Sequence, residues 1–333
     1  MAALDHDRMT SGTPGEVGVL FIGGMGRSGS TLLDRMLGSA PGVVSVGEIR
    51  KFWRRGAVAN ELCGCGERIR SCPFWRAVAD EAFGGFDVPG LDAIAAAEDR
   101  LLVPLRKALP LRFALLRRGG DAQDFEMFAE ARLKLIRAVA KVSGASLVVD
   151  SSKGPLYGAA LGQVEGLDVR AVHLVRDSRA VAFSWLKVKE VRRVPGQLDY
   201  MPRISARDAA LLWITKNLQM ESLWVFRGRR MRLHYEAFVE RPEWWVKRIL
   251  RFAGHDALPA SAAAGEVDLP MQHTVLGNPM RFDRGRIAVR LDDEWKRGLA
   301  ARERRTVTAI TLPMLLRYGY VGPLPLAGSK HRA

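Results

Sequence analysis

Val17-Gly18-Val19-Leu20-Phe21-Ile22-Gly23-Gly24-Met25-Gly26-Arg27-Ser28-Gly29-Ser30-Thr31 is the stretch whose reading decides the fold. The apolar run 17–22 has the length of a buried strand and ends in a glycine-rich turn. Leu32, Leu33, Met36 and Leu37 then share one face of a helix expected from about Ser30 to Leu37. A strand, a glycine turn and a helix present backbone N–H groups and a positive helix end to an anion. Two phosphate patterns fit at once. As G-x-G-x-x-G the stretch gives Gly24, Gly26 and Gly29, the dinucleotide fingerprint; as G-x-x-x-x-G-K-[ST] it is a P-loop with Ser30 in place of the lysine. A dinucleotide pyrophosphate lies against bare backbone, whereas Arg27 and the hydroxyls of Ser28, Ser30 and Thr31 suit a compact, highly charged terminal group. An ordinary nucleoside triphosphatase would use the missing lysine. The reading is therefore a P-loop relative in which arginine supplies the charge.

Further strands are expected at 146–149, closing on Asp150, at 169–175 and at 231–235. Asp177 is placed to cap a helix running from 179 towards 189, and another helix starts near Pro242. Alternating strands and helices define an α/β fold, a P-loop-like core whose mostly parallel central sheet is flanked by helices. About a hundred residues separate the first strand from the one at 146, too many for one crossover. Helical periodicity over 92–117 and 123–142 makes this stretch, about 76–145, a helical insertion, read as a lid or substrate-side subdomain. One domain is expected over 17–325, with disordered ends at 1–16 and 326–333.

The composition excludes several classes. With 48% hydrophobic and 26% charged residues over 333 positions the chain is neither disordered nor fibrous. Its apolar runs are a handful of residues long, far short of the roughly 20 of a membrane span. The first fifteen residues lack a signal peptide's apolar stretch, so a cytoplasmic protein is expected. Of 51 basic residues 40 are Arg, and the net charge is +15, which fits an anionic ligand. No single basic block or interleaved aromatic array points to nucleic acid. Cys63, Cys65 and Cys72 form C-x-C-x6-C. A structural zinc wants four ligands and this segment supplies three with no adjacent His, so the reading is a reduced, half-buried loop without metal, with zinc as the alternative.

Beyond the loop, Arg176 stands at a strand end with Ser184 eight residues on, about two helical turns or roughly 10 Å, a gap that a phosphate and an extended Arg can fill. At this point the chain resembles the sulfotransferases that use 3′-phosphoadenosine 5′-phosphosulfate. Arg27 to Thr31 matches their R-S-G-[ST]-[ST] phosphosulfate loop, and Arg176 with Ser184 matches their 3′-phosphate motif. The likeness runs from about 20 to 320 and is greatest to bacterial members related to carbohydrate and tyrosylprotein sulfotransferases. Asp150-Ser151-Ser152-Lys153 matches their second-strand motif. Leu233-His234-Tyr235-Glu236-Ala237-Phe238-Val239 resembles their R-Y-E-D-L-V strand, with His234 and Ala237 departing from it. Gly277-Asn278-Pro279-Met280-Arg281-Phe282 is similar to a late loop over the nucleotide.

The resemblance implies a PAPS-dependent sulfotransferase with PAP as product and no metal. Gly26, Arg27, Ser28, Gly29, Ser30, Thr31, Arg176, Ser184, Gly277, Asn278 and Arg281 are its expected nucleotide contacts. Glu48, in a Gly-Glu pair after the Pro41-Gly42 turn, matches the family's presumed base. Lys153 resembles its lysine on the leaving oxygen, and Arg27 completes the catalytic set. Asp150 imitates a metal-binding acid but reads as a hydrogen-bonding strand-end residue. His173 and His234 read as core or sheet-face residues, which leaves His273 as the rival base. The expected acceptor is a hydroxyl of a carbohydrate, glycolipid or small metabolite. Leu101 to Arg117, broken by Pro104 and Pro110, reads first as leucines packed on the core with solvated cations. The alternative is an apolar lip for a greasy acceptor or a peripheral membrane contact, and a homodimer is compatible with all of this. A P-loop kinase and a non-catalytic nucleotide-binding protein are the rival classes; the absent lysine at Ser30 counts against the first.

Overall fold

The computed structural model describes residues 15–102, 122–223, 228–259 and 265–322. The chain opens with β1 (Val17–Gly24), α1 (Ser30–Leu37) and β2 (Val43–Gly47), then runs through the insertion helices α2 (Pro73–Phe83), α3 (Leu91–Leu102) and α4 (Ala122–Ser143). Next come β3 (Leu147–Lys153), α5 (Pro155–Leu161), β4 (Leu167–Val175) and α6 (Ser178–Leu186). A hairpin of β5 (Glu190–Val194) and β6 (Gln197–Tyr200) follows, then α7 (Ala206–Ser222), β7 (Arg230–His234), α8 (Tyr235–Glu240) and α9 (Pro242–Phe252). A second hairpin, β8 (Glu266–Leu269) and β9 (Gly285–Ala288), precedes α10 (Trp295–Gly298) and α11 (Ala301–Arg317). Residues 1–14, 103–121, 224–227, 260–264 and 323–333 lie outside the described residues, and with them most of the expected disordered ends and residues 103–117 of the alternative lip. Leu101 and Leu102, the described part of that lip, are buried.

The central sheet has the order β2-β3-β1-β4-β7 and every pairing in it is parallel. β1 alternates strictly between its two faces. Val19 and Phe21 join Val148, Val169 and Ala171 in one core, Leu20 and Ile22 join Val149, Val172 and Leu174 in the other. This two-sided burial is why the parallel strands read as continuous apolar runs. The first core is covered by the insertion: Phe128, Leu135, Ile136 and Val139 of α4 pack with Val19 and Phe21. The described part of the insertion is thus a layer of the core rather than a detached lid.

Two differences from the sequence reading have plain causes. β2 is an edge strand, paired only with β3, and its five residues carry Ser45 at the middle, so no apolar run marks it. The helix expected to reach 189 stops at Leu186, because residues 190–200 turn into a hairpin about Gly196, whose φ of 75° suits glycine. Asp177 caps α6 as expected, its carboxylate accepting from the Arg179 amide at 2.8 Å.

α1 and β2 are joined through Asp34, which accepts from Ser45 Oγ at 2.6 Å while its other oxygen is buried without a partner. Burial pushes the Asp34 carboxyl up to about 7. The folded chain therefore holds this proton between about pH 4 and pH 7 while the unfolded chain releases it, so stability falls as pH rises through that window. Asp34→Asn, which cannot ionise, should gain melting temperature relative to the unmutated chain above about pH 7. The gap should close towards pH 4 and be worth at most about 4 kcal/mol. A pH-independent difference in thermal melts would contradict this assignment.

Candidate functional site

In an open parallel sheet ligands bind beyond the carboxyl ends of the strands, where the strand order reverses. That point is β1, with β3 and β2 on one side and β4 and β7 on the other. Four of the five strand ends deliver expected residues to it, and the fifth adds Tyr235. β1 leads into Met25–Ser30, β2 into Glu48, β3 ends on Lys153, β4 leads into Arg176, and β7 leads into Tyr235.

The loop is tight because its glycines admit other groups. Gly24 has a φ of 136°, and a Cβ there would sit 2.5 Å from the Leu174 carbonyl oxygen. Gly29 caps α1 at a φ of 87°, with the Tyr235 ring 2.5 Å from where a Cβ would be. Ser28 is buried and its Oγ has no partner, a hydroxyl of the kind an anionic ligand would satisfy. The Arg27 guanidinium lies over the Trp185 ring, 5.0 Å from its centre, and Nη1 donates to Met201 Sδ at 3.0 Å. Thr31 Oγ1 accepts from the Asn278 amide at 3.4 Å, so the late loop does reach the phosphate loop.

Glu48 and Lys153, 105 residues apart, meet: Lys153 Nζ donates to Glu48 Oε1 at 2.6 Å. Each side chain is about one-fifth exposed, 21% and 19%, enough to face a substrate. Their backbone is pinned from behind. The fully buried Arg132 of α4 donates to the Ile49 carbonyl at 3.0 Å and pairs with Glu98, and the Arg50 amide donates to Ser152 Oγ at 3.0 Å. Among the described residues four non-glycines have positive φ, and two of them are Arg27 at 72° and Lys153 at 64°. Strain of this kind, about 1–3 kcal/mol per residue, persists where surrounding structure enforces a working geometry.

Arg176 sits at the loop's other flank. Its Nη1 donates to the Arg27 carbonyl at 3.0 Å, and its guanidinium covers the Tyr235 ring at 4.4 Å. Ser184 is buried on the second turn of α6. Sequence reasoning missed Asp292, whose carboxylate pairs with Arg176 Nη2 at 3.0 Å and whose carbonyl accepts from the same nitrogen at 2.9 Å. It also missed Lys189, whose ammonium is pushed below the usual lysine range by burial and then by Arg27 and Lys187. No spacing could reveal either, since Asp292 and Lys189 reach the loop only through the fold. Tyr235 was quoted within a motif but given no task.

Several expectations are corrected or sharpened. Arg281 was expected on the nucleotide. It is instead buried, with Nη1 donating to the Thr274 carbonyl at 3.1 Å and Nη2 to the Leu62 carbonyl at 2.8 Å, so it clamps two distant segments. His273, the rival base, turns Nδ1 towards Cys72 and Cys63, at 3.2 and 3.7 Å from their sulfurs. The cysteine segment itself offers three donors, and the fold brings a candidate fourth to them from 201 residues beyond Cys72. His173 is a core residue, bonded to Asn217 Oδ1 at 2.8 Å and pushed down to about 4 by burial. Asp150 accepts from the Ser152 amide at 2.8 Å and from Tyr157 Oη at 2.9 Å, a hydrogen-bonding strand end.

The profile of the Sulfotransferase family matches residues 20–259. The chain belongs to the sulfotransferase family, and its activity is of the sulfotransferase type. Among solved structures it is similar to the sulfotransferase domain of the Synechococcus PCC 7002 olefin synthase, at 20% identity, covering 92% of this chain and 95% of that one with a TM-score of 0.47. It is also similar to the sulfotransferase domain of the curacin biosynthetic pathway, at 15% identity, covering 90% and 99% with a TM-score of 0.45. No curated protein matches the chain. No described helix is long and apolar enough to cross a membrane.

Proposed function

We propose that this sulfotransferase takes its sulfuryl group from 3′-phosphoadenosine 5′-phosphosulfate and passes it to a hydroxyl of a carbohydrate, glycolipid or other small metabolite. The observation that carries the reading is the Glu48–Lys153 pair held beside the glycine loop. The orphaned Ser28 Oγ, the amide end of α1 and the cations Arg27 and Lys189 fit a sulfated phosphate group. When bound, the donor supplies an activated sulfur with a good leaving oxygen. Glu48 takes the proton of the incoming hydroxyl. Lys153 donates to the oxygen that leaves, where negative charge develops. Arg176 and Ser184 hold the 3′-phosphate, and Arg27 with the loop amides holds the sulfated end. Catalysis on this reading rests on positioning and on fixed cations rather than on a covalent intermediate.

Calorimetric titration with adenosine 3′,5′-bisphosphate, ATP and NAD separates this reading from its rivals. The bisphosphate should bind well below the Kd of the other two. Preference for ATP would favour a kinase, and preference for NAD a dehydrogenase-type site.

A further inference from the structure

Cys63, Cys65 and Cys72 lie in a turn that sulfuryl transfer does not use. Backbone bonds close it into a knuckle: the Cys63 amide donates to the Glu67 carbonyl at 2.7 Å, and Gly66 to Cys63 at 2.9 Å. The Cys72 amide closes the far side on the Arg68 carbonyl at 2.8 Å. Residues 272–274 run alongside, and Gly64 makes that approach possible. A Cβ on Gly64 would stand 2.5 Å from both the Gln272 carbonyl oxygen and Thr274 Oγ1, while its amide donates to the Thr274 carbonyl at 2.9 Å. This delivers His273 to the three thiols. Cys65 and Cys72 sulfurs are 3.7 Å apart, His273 Nδ1 is 3.2 Å from Cys72 Sγ and 3.7 Å from Cys63 Sγ, and all four ligand atoms lie within 4.8 Å of one another.

We propose that Cys63, Cys65, Cys72 and His273 bind one zinc ion in a structural site. Tetrahedral zinc with Zn–S of about 2.3 Å and Zn–N of about 2.0 Å sets its sulfurs about 3.8 Å apart and its S···N edges at about 3.5 Å. The Cys65–Cys72 sulfur separation of 3.7 Å is close to the first value, and the two S···N separations, 3.2 and 3.7 Å, lie either side of the second. Three thiolates and one imidazole make a soft set that selects zinc over the hard cations. The site is closed, with Cys63 and Cys72 fully buried and Cys65 and His273 half-buried, which is the form of a structural rather than a catalytic zinc. Its surroundings support the ligands. Phe74 stacks flat on the His273 ring, 5.0 Å between centres at 11°, and Arg284 donates to the Cys65 carbonyl at 2.8 Å. Arg281 bridges the two flanks through the Leu62 and Thr274 carbonyls, and its charge offsets the net negative zinc–thiolate set.

The consequence lies in what the knot joins. From His273 the chain reaches Val275, whose amide donates to the Val46 carbonyl at 2.9 Å, and then Asn278, on Thr31. The zinc fastens the approach to Glu48 and the late loop to one anchor, without touching substrate.

Metal analysis of the full chain, without an affinity tag and purified under reducing conditions, should find about one zinc per chain. Zinc-edge X-ray absorption on the same sample should show about three sulfurs at about 2.3 Å and one nitrogen at about 2.0 Å. Cys65→Ser and His273→Ala should each lower bound zinc at least tenfold. Stripping the metal should lower the melting temperature by about 5–10 °C, restored by added zinc. The absorption measurement uses the unmutated protein, so a variant that fails to fold leaves the test intact. Less than a tenth of an equivalent after zinc is supplied, a shell of nitrogen and oxygen only, or a disulfide between Cys65 and Cys72 would each overturn the assignment.

Discussion

Glu48→Gln should leave nucleotide binding intact and lower turnover by about 10²–10⁴-fold, the usual cost of removing a positioned general base. Glutamine keeps the size of the side chain and can still accept from Lys153 Nζ, so the 2.6 Å contact need not be lost. What disappears is the group that receives the acceptor's proton. The check is the rate of sulfuryl transfer to a hydroxyl acceptor that the unmutated enzyme uses, set beside calorimetric binding of adenosine 3′,5′-bisphosphate. Near-normal turnover with unchanged binding would place the base elsewhere. His273 is a poor substitute for that role, because its Nδ1 faces the cysteine sulfurs.

The second large effect concerns the 3′-phosphate. Arg176→Ala should reduce the preference for adenosine 3′,5′-bisphosphate over AMP by roughly 30- to 100-fold, since a charge-assisted hydrogen-bond pair is worth about 2–3 kcal/mol. Arg176 also holds the Arg27 carbonyl, so the ratio of the two affinities is the decisive quantity. A sagging loop would weaken both nucleotides alike; a lost phosphate contact weakens only the bisphosphate. Asp292 sharpens the test. Its carboxylate competes for Arg176 and is 37% exposed, so Asp292→Asn should tighten the bisphosphate by about 5-fold, the value of one such exposed pair. If both variants leave the ratio unchanged, the 3′-phosphate is read by other groups.

Much of this site could be read along the chain, and the reason differs from residue to residue. The loop from Gly24 to Thr31 was legible because its chemistry is local: strand, turn and helix follow one another within fifteen residues, and Gly24 and Gly29 take the positive φ that the turn needs. Arg176 and Ser184 were legible for the same reason, one helix connecting them. β2 was not, since an edge strand of five residues with a serine at its centre carries no apolar run. The role of Arg281 was misread because its partners, the Leu62 and Thr274 carbonyls, lie 219 and 7 residues away and belong to no motif.

By itself the sequence determined the α/β class and the place of the glycine loop, while the family resemblance singled out Glu48, Lys153, Arg27 and Arg176 as candidate site residues. Period and turn chemistry act over a few residues, so they survive in a linear reading. Only the tertiary structure decided which groups share a space. Parallel pairing of β2 and β3 brings Glu48 to Lys153 across 105 positions, and parallel pairing throughout puts all five strand ends on one edge of the sheet. The same applies to Asp292 on Arg176 and to His273 among the three cysteines. Such contacts are set by how layers pack around two cores. Packing joins residues by distance in space, a quantity that their order along the chain does not record.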